Sequence, residues 1–149
     1  MISKTSLDSI KALVFLARLT QGEWKGTVDI ASTIGAPANY LGKSLRALAA
    51  EGLVLSQRGQ GGGFALAKSP SKISLFEVIG VLEDVSRLSK CIWGFTECED
   101  SAPCPLHSRW KDIRNLYLNL LRRTTIDDLL SDPTLRFEKT MQPGGPYVS

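Results

Sequence analysis

This sequence predicts a mainly helical protein with one small β-hairpin: a winged helix-turn-helix followed by a long C-terminal helix suited to dimerisation. Three observations carry that prediction. Residues 27–52 set two short amphipathic helices around a glycine turn, and a glycine-rich hairpin follows at once. Residues 105–123 then form a longer helix with a wide apolar stripe. Between hairpin and long helix, the stretch CIWGFTECEDSAPCPLH from Cys91 to His107 holds all three cysteines and the only histidine.

In chain order, residues 4–20 place Ile10, Leu13, Val14, Leu16 and Ala17 on one side, the repeat of an amphipathic helix, and Gly22 falls where a C-terminal stop is expected. Asp8 stands near the beginning of this helix, either as a charge favoured by the helix dipole or as a ligand. Thr27 can cap a short helix carrying Val28, Ile30, Ala31 and Ile34, Gly35 makes the turn, and Pro37 opens a second helix with Leu41, Leu45 and Leu48 inward. Leu53 to Arg58 and Phe64 to Lys68 read as two strands joined by the run Gly59 to Gly63. Helix, turn, helix and hairpin make a winged helix.

The second helix carries Asn39, Tyr40, Lys43 and Arg46 opposite its leucines, with Ser44 nearby. Such a face reaches phosphates and base edges once the helix lies in the major groove. Arg58 at the base of the glycine-rich tip, with Gln60 on it, can clasp a phosphate or enter the minor groove. With Thr27, these are the expected DNA-contacting residues. Gly42 presents no side chain on the same helix, which leaves base preference to its neighbours.

Ser74 to Glu77 fits a capping box, so Leu75 to Glu83 should be helical with Leu75, Val78, Ile79 and Leu82 inward. The helix from Pro105 to Arg123 aligns Leu106, Trp110, Ile113, Leu116, Tyr117, Leu120 and Leu121. One helix cannot bury so wide a stripe alone in a chain of this size, so it is expected to pair with its symmetry mate and with the first helix. Thr125 to Asp128 is a second capping box, giving a short helix through Leu130. The expected divisions are a DNA-binding unit over 1–84, a cysteine-rich loop over 85–104, helices over 105–130 and a mobile tail over 131–149.

Thiolate and imidazole are ligands for zinc, iron or an iron-sulfur cluster, and their concentration in seventeen residues reads as a metal or cluster site. Six residues separate Cys91 from Cys98 and five separate Cys98 from Cys104, so the loop can curl around an object larger than one ion. Pro103 and Pro105 flank Cys104, which should stand at a helix N-terminus with a lowered pKa, and His107 follows three residues later on the same face.

Composition limits the alternatives. At 149 residues the chain holds one domain, or a small domain with a helical appendage. No apolar run approaches the roughly eighteen residues of a membrane span, and the start lacks a signal core, so a cytoplasmic protein with no membrane partner is expected. An odd count of three cysteines argues against a secreted disulfide framework. Residues 1–68 hold eight Lys or Arg against four Asp or Glu, and the remainder ten against eleven, so positive charge collects on the half built for DNA. No G-x-S-x-G, P-loop or H-E-x-x-H is present and the single histidine lies in the cysteine loop, so neither an enzyme nor a small-molecule substrate is expected.

The chain resembles a family of bacterial winged-helix regulators that contains the iron-sulfur cluster regulator IscR and the nitric-oxide sensor NsrR. The resemblance runs from Met1 to about Leu130 and is carried by LRALAAEGLV, the wing RGQGGGFAL, and three cysteines closed by CPLHSRW. It implies a homodimer with a winged helix at each end, and a cluster bound by three cysteines whose state sets affinity for operator DNA, most simply as a repressor. Carried onto this chain, those cysteines are Cys91, Cys98 and Cys104, with a first spacing one residue longer than in either relative. IscR-like members use a histidine three residues after the last cysteine, matched by His107, and hold a 2Fe-2S cluster. NsrR-like members use an aspartate near the N-terminus of the partner subunit, matched by Asp8, and hold a 4Fe-4S cluster. The resemblance favours 2Fe-2S with His107, and loss, oxidation or nitrosylation of that cluster would release the loop and shift the recognition helices. Two alternatives share the residues: a zinc-stabilised Cys3His DNA-binding protein, although the tight C-x2-C knuckle of many zinc sites is missing, and a metal-free thiol switch.

Overall fold

The computed structural model describes residues 2–135. In order, the elements are α1 (Lys4–Ala17), α2 (Thr27–Ile34), α3 (Ala38–Ala50), β1 (Val54–Gln57), β2 (Gly63–Leu66), α4 (Leu75–Leu82), α5 (His107–Arg123) and α6 (Ile126–Ser131). Short 3-10 turns cover Pro70–Lys72 and Val85–Ser89. The fold class is the expected one, mostly helical with a two-stranded antiparallel hairpin.

The first helix ends three residues before its expected limit. Arg18 and Leu19 turn their N–H groups onto the carbonyls of Phe15 and Leu16, and Gly22, at φ +85°, serves the turn beyond. α1 is the central strut, packing against α2, α3, α4, α6 and the wing. Its Leu13 and Val14 meet Ile30 and Ile34 of α2, Leu45 and Leu48 of α3, and Ile126 of α6 in one core. Gly35, at φ +71°, ends α2 in the left-handed conformation a tight turn needs.

The strands are shorter than the sequence indicates, with Val54 opposite Leu66 and Gln57 opposite Gly63. The other edge of β2 carries a single bridge unseen in the sequence. Lys25 and Phe64 exchange both backbone hydrogen bonds, at 3.1 and 2.8 Å, tying the segment before α2 to the wing. A Cβ on Gly63 would lie 2.3 Å from the Lys25 carbonyl oxygen, and its φ is +136°. Glycine is therefore required there twice over.

Both capping boxes form as read, with Ser74 and Glu77 on α4 and Thr125 and Asp128 on α6. The two helix starts are laced together: Leu75 N–H donates to Thr124 O and Ile126 N–H to Ile73 O, each at 2.9 Å. The end of α5 is thereby fixed to the unit that carries α3.

α5 begins at His107, with Pro105 and Leu106 in a preceding turn. It packs against α4, where Leu121 is buried, Tyr117 is half-buried and the Arg122 guanidinium sits 4.8 Å above the Phe76 ring. The expected contact with the first helix falls mainly to α6 instead. The apolar stripe divides in two: Leu121 and Tyr117 face inward, while Ile113, Leu116 and Leu120 lie on an adjacent flank, exposed by 59, 72 and 58 %. Of the residues expected in the tail, Ser131 closes α6 and 132–135 form a turn. Asp132 accepts from Thr134, and Leu135 packs on the core. The rest of that expected tail lies outside the described residues. Val85–Ser89, expected in the cysteine loop, is instead a turn capped by Asp84, with Val85 and Leu88 against the core.

Candidate nucleic-acid interface and cysteine site

α3 presents Asn39, Tyr40, Lys43 and Arg46 to solvent, and Arg58 and Gln60 are exposed on the wing. The Lys43 ammonium lies 5.9 Å from the centre of the Tyr40 ring. Thr27, Asn39, Lys43 and Arg46 line an open groove of about 390 Å³ between α2 and α3. Two expectations for this face need correction. Ser44 is buried and donates its hydroxyl to the Tyr40 carbonyl at 3.1 Å, because it lies inside the arc of Leu41, Leu45 and Leu48. Gly42 is also buried rather than on the solvent face: a Cβ there would stand 3.4 Å from Thr27 Cγ2, an ordinary contact distance between α3 and α2. Val28 was expected inward but is 72 % exposed beside the groove, since Ile30, Ala31 and Ile34 form the buried arc of α2.

The cysteine segment is fastened to α5 from outside. Trp110 Nε1 donates to Lys90 O at 3.0 Å and Arg114 Nη1 to Ser89 O at 3.4 Å. All three cysteines are free thiols; Cys91 and Cys104 are 8 and 7 % exposed, Cys98 is half-exposed. The Cys91 and Cys104 thiols lie close enough to perturb each other's ionisation. Burial pushes the Cys91 thiol up, but the N–H groups of Trp93, Phe95 and Gly94 and the Cys104 contact outweigh it and hold Cys91 below the ordinary value.

Cys104 departs from the expectation. It lies a turn before the first helical residue, and burial, reinforced by Cys91 and Cys98, pushes its thiol up despite the Leu106 N–H. His107 also departs from the expected pairing with Cys104. Its backbone N–H donates to Cys104 O at 3.0 Å, while its buried imidazole puts Nδ1 3.4 Å from Cys98 Sγ and Nε2 2.8 Å from Asp100 Oδ1. Lys111 Nζ binds both Asp100 oxygens at 2.8 and 2.9 Å. Hydrogen bonds from Lys111 and then His107 hold the Asp100 carboxyl down to about 2. Asp100 and Lys111 were missed by the sequence reading. The spacing of His107 and Lys111, four apart on one helix, is the signal that points to them.

Asp8 is buried in α1, 2.7 Å from Lys4 Nζ and 4.0 Å from Lys11 Nζ. It lines a hollow of about 240 Å³ with Tyr40 and Ser44, which none of the cysteine segment borders. Among the described residues, no three His, Cys, Asp or Glu side chains are grouped so as to hold a single metal ion.

The sequence profile of the Rrf2 family, described as "Iron-dependent Transcriptional regulator", matches residues 2–132. The chain belongs to the Rrf2 family. Relatives of this Rrf2 chain include the HTH-type transcriptional regulator IscR of Vibrio vulnificus, 29 % identical over 83 % of this chain and 73 % of that protein. Among solved structures, CymR, the global cysteine regulator of B. subtilis, superposes with a TM-score of 0.74 at 27 % identity, covering 88 % of this chain and 96 % of that one. IscR of T. potens gives 0.71 at 26 % identity, covering 97 and 93 %. The Rrf2 chain is thus a transcriptional regulator and not an enzyme, as the sequence indicates. No helix among the described residues is long and apolar enough to cross a membrane.

Proposed function

We propose that this regulator binds double-stranded operator DNA as a homodimer, and that an iron-sulfur cluster held by Cys91, Cys98, Cys104 and His107 sets its affinity. The observation that carries the reading is the donor set. Three free thiols and one imidazole line the start of α5, and three backbone N–H groups turn toward Cys91. N–H hydrogen bonds to sulfur favour the thiolate form at Cys91, and three thiols with one imidazole are the donor types that ligate iron, so in donor chemistry these residues fit the group. The tight C-x2-C knuckle of many tetrahedral zinc sites is missing, since the three cysteines stand seven and six positions apart. When bound, the cluster supplies a redox-active, losable cross-link between the loop and α5. The protein's part is to anchor that loop through Trp110 and Arg114, and to pass its position to the α3 unit through the laced starts of α4 and α6.

His107 is the better fourth ligand, favouring 2Fe-2S. Asp100 holds its Nε2 and turns Nδ1 toward Cys98, the carboxylate-histidine arrangement that orients metal-bound imidazoles. Asp8, the 4Fe-4S alternative when supplied by the partner subunit, is already paired with Lys4 and Lys11. The test is absorption spectroscopy and native mass spectrometry after anaerobic purification. His107→Ala should lose or alter the cluster and Asp8→Ala should keep it; the reverse result moves the assignment to Asp8.

On the DNA face, Thr27, Asn39, Tyr40, Lys43, Arg46, Arg58 and Gln60 remain the proposed contacts. Ser44 is withdrawn in favour of exposed Val28, an apolar side chain suited to a thymine methyl. Arg46→Ala should weaken operator binding by about 1–3 kcal/mol if it reads a base. Lys43→Ala should lower the slope of log affinity against log salt by about one, as for a phosphate contact. Unchanged affinity and salt slope in the double variant, measured by fluorescence anisotropy, would remove α3 from the interface.

A further inference from the structure

The hollow of about 240 Å³ beside Asp8 is shared by two helices and the turn between α2 and α3. Lys4 and Asp8 of α1 line it with Tyr40 and Leu41 of α3, and Ala36 and Pro37 come from the turn. Ala36, Pro37, Leu41 and Tyr40 supply apolar wall. The polar feature is Asp8, a carboxylate only 8 % exposed. Lys4 Nζ donates to its Oδ2 at 2.7 Å, whereas Oδ1 has Lys11 Nζ at 4.0 Å, beyond hydrogen-bonding reach. A carboxylate so far removed from water is stabilised by donors on both oxygens, and the hollow is where a further donor can enter.

Charge selects the guest. Asp8 already faces two ammonium groups, so the trio carries a net positive charge and a cationic guest would add to it. An anionic guest would meet the Asp8 carboxylate itself. The guest that fits is neutral, a flat ring of about ten non-hydrogen atoms with one N–H or O–H donor, smaller than the drug-sized ligands of larger pockets.

We propose that this hollow binds a small neutral aromatic with one hydrogen-bond donor, of the indole or phenol class, and that its occupancy weakens operator binding. The ring packs on Pro37, Leu41 and Tyr40, and its donor bonds Asp8 Oδ1. Tyr40 carries the effect to DNA. It is 67 % exposed on the recognition face, with the Lys43 ammonium 5.9 Å from its ring centre. A Tyr40 ring closed over the guest is withdrawn from that face together with its Lys43 contact. The inference rests on the DNA-reading role of α3 only for this last effect.

Indole, and benzofuran as a ring of the same size without the donor, are titrated into the full chain and followed by two-dimensional amide NMR. Indole should shift the amides of Asp8, Leu41 and Tyr40 with a dissociation constant of roughly 10⁻⁴ M. Benzofuran should bind about tenfold more weakly, having no donor for Asp8. Ala36→Leu, with folding checked by circular dichroism, should fill the hollow and abolish the shifts. Saturating indole should lower operator affinity about fivefold in fluorescence anisotropy at matched salt, and operator should weaken indole binding by the same factor. Shifts confined to other residues, equal affinity for the two rings, or undiminished operator affinity at saturation would overturn the proposal. Failure of the α3 reading looks different: the Lys43 and Arg46 double variant would bind operator unchanged, while the indole shifts at Asp8 and Tyr40 persist.

Discussion

Gly63→Ala should destabilise the protein by about 2–4 kcal/mol through a backbone clash and a forced positive φ. The new Cβ would be 2.3 Å from Lys25 O and 2.7 Å from the Gly26 amide nitrogen, both backbone atoms that cannot rotate away. Relief requires the wing to part from the segment before α2, breaking the Lys25–Phe64 exchange and uncovering Phe64. In a chain of this size the melting temperature should fall by about 5–15 °C. The control is Gly80→Ala, whose Cβ would meet nothing within 4 Å. Thermal denaturation followed by circular dichroism distinguishes them, and equal melting temperatures would show that the wing is not seated against Lys25.

Leu116→Glu should convert a dimer into a monomer of 16.3 kDa in multi-angle light scattering, with little change in the subunit's own stability. Leu116 is 72 % exposed, between Ile113 and Leu120 on the α5 flank that no other described residue covers, so a carboxylate there meets water in the monomer and an apolar surface in the proposed dimer. Loss of the second reading head turns two-point binding into one-point binding, and operator affinity should fall by about 10²-fold or more. A variant that stays dimeric would place the subunit interface elsewhere.

Much of this architecture is written locally, which is why the sequence showed it. Each capping box is settled by residues three apart, and Leu41, Leu45 and Leu48 orient α3 by helical period alone. The same period shows Ser44 inside that arc and Val28 outside the arc of α2, so those two misplacements came from weighting residue type over position. The Lys25–Phe64 rung and the Asp100–His107 bond differ in kind. Both join segments whose approach depends on the assembled fold, and neither residue type nor spacing announces the first. The clustering of the three thiols and the imidazole was legible in the sequence, but not their pairing: Cys91 and Cys104 are buried beside each other, and Cys98 is left to His107.

Whether metal at the cysteines governs DNA at α3 is decided by one comparison. Operator affinity is measured without oxygen, at matched salt, for the cluster-loaded protein and for the same preparation after chelation. A coupling of about 1–3 kcal/mol, roughly five- to 150-fold in affinity, is the expected result. Equal affinities, with the cluster verified by its absorption in one sample and its absence in the other, would contradict it.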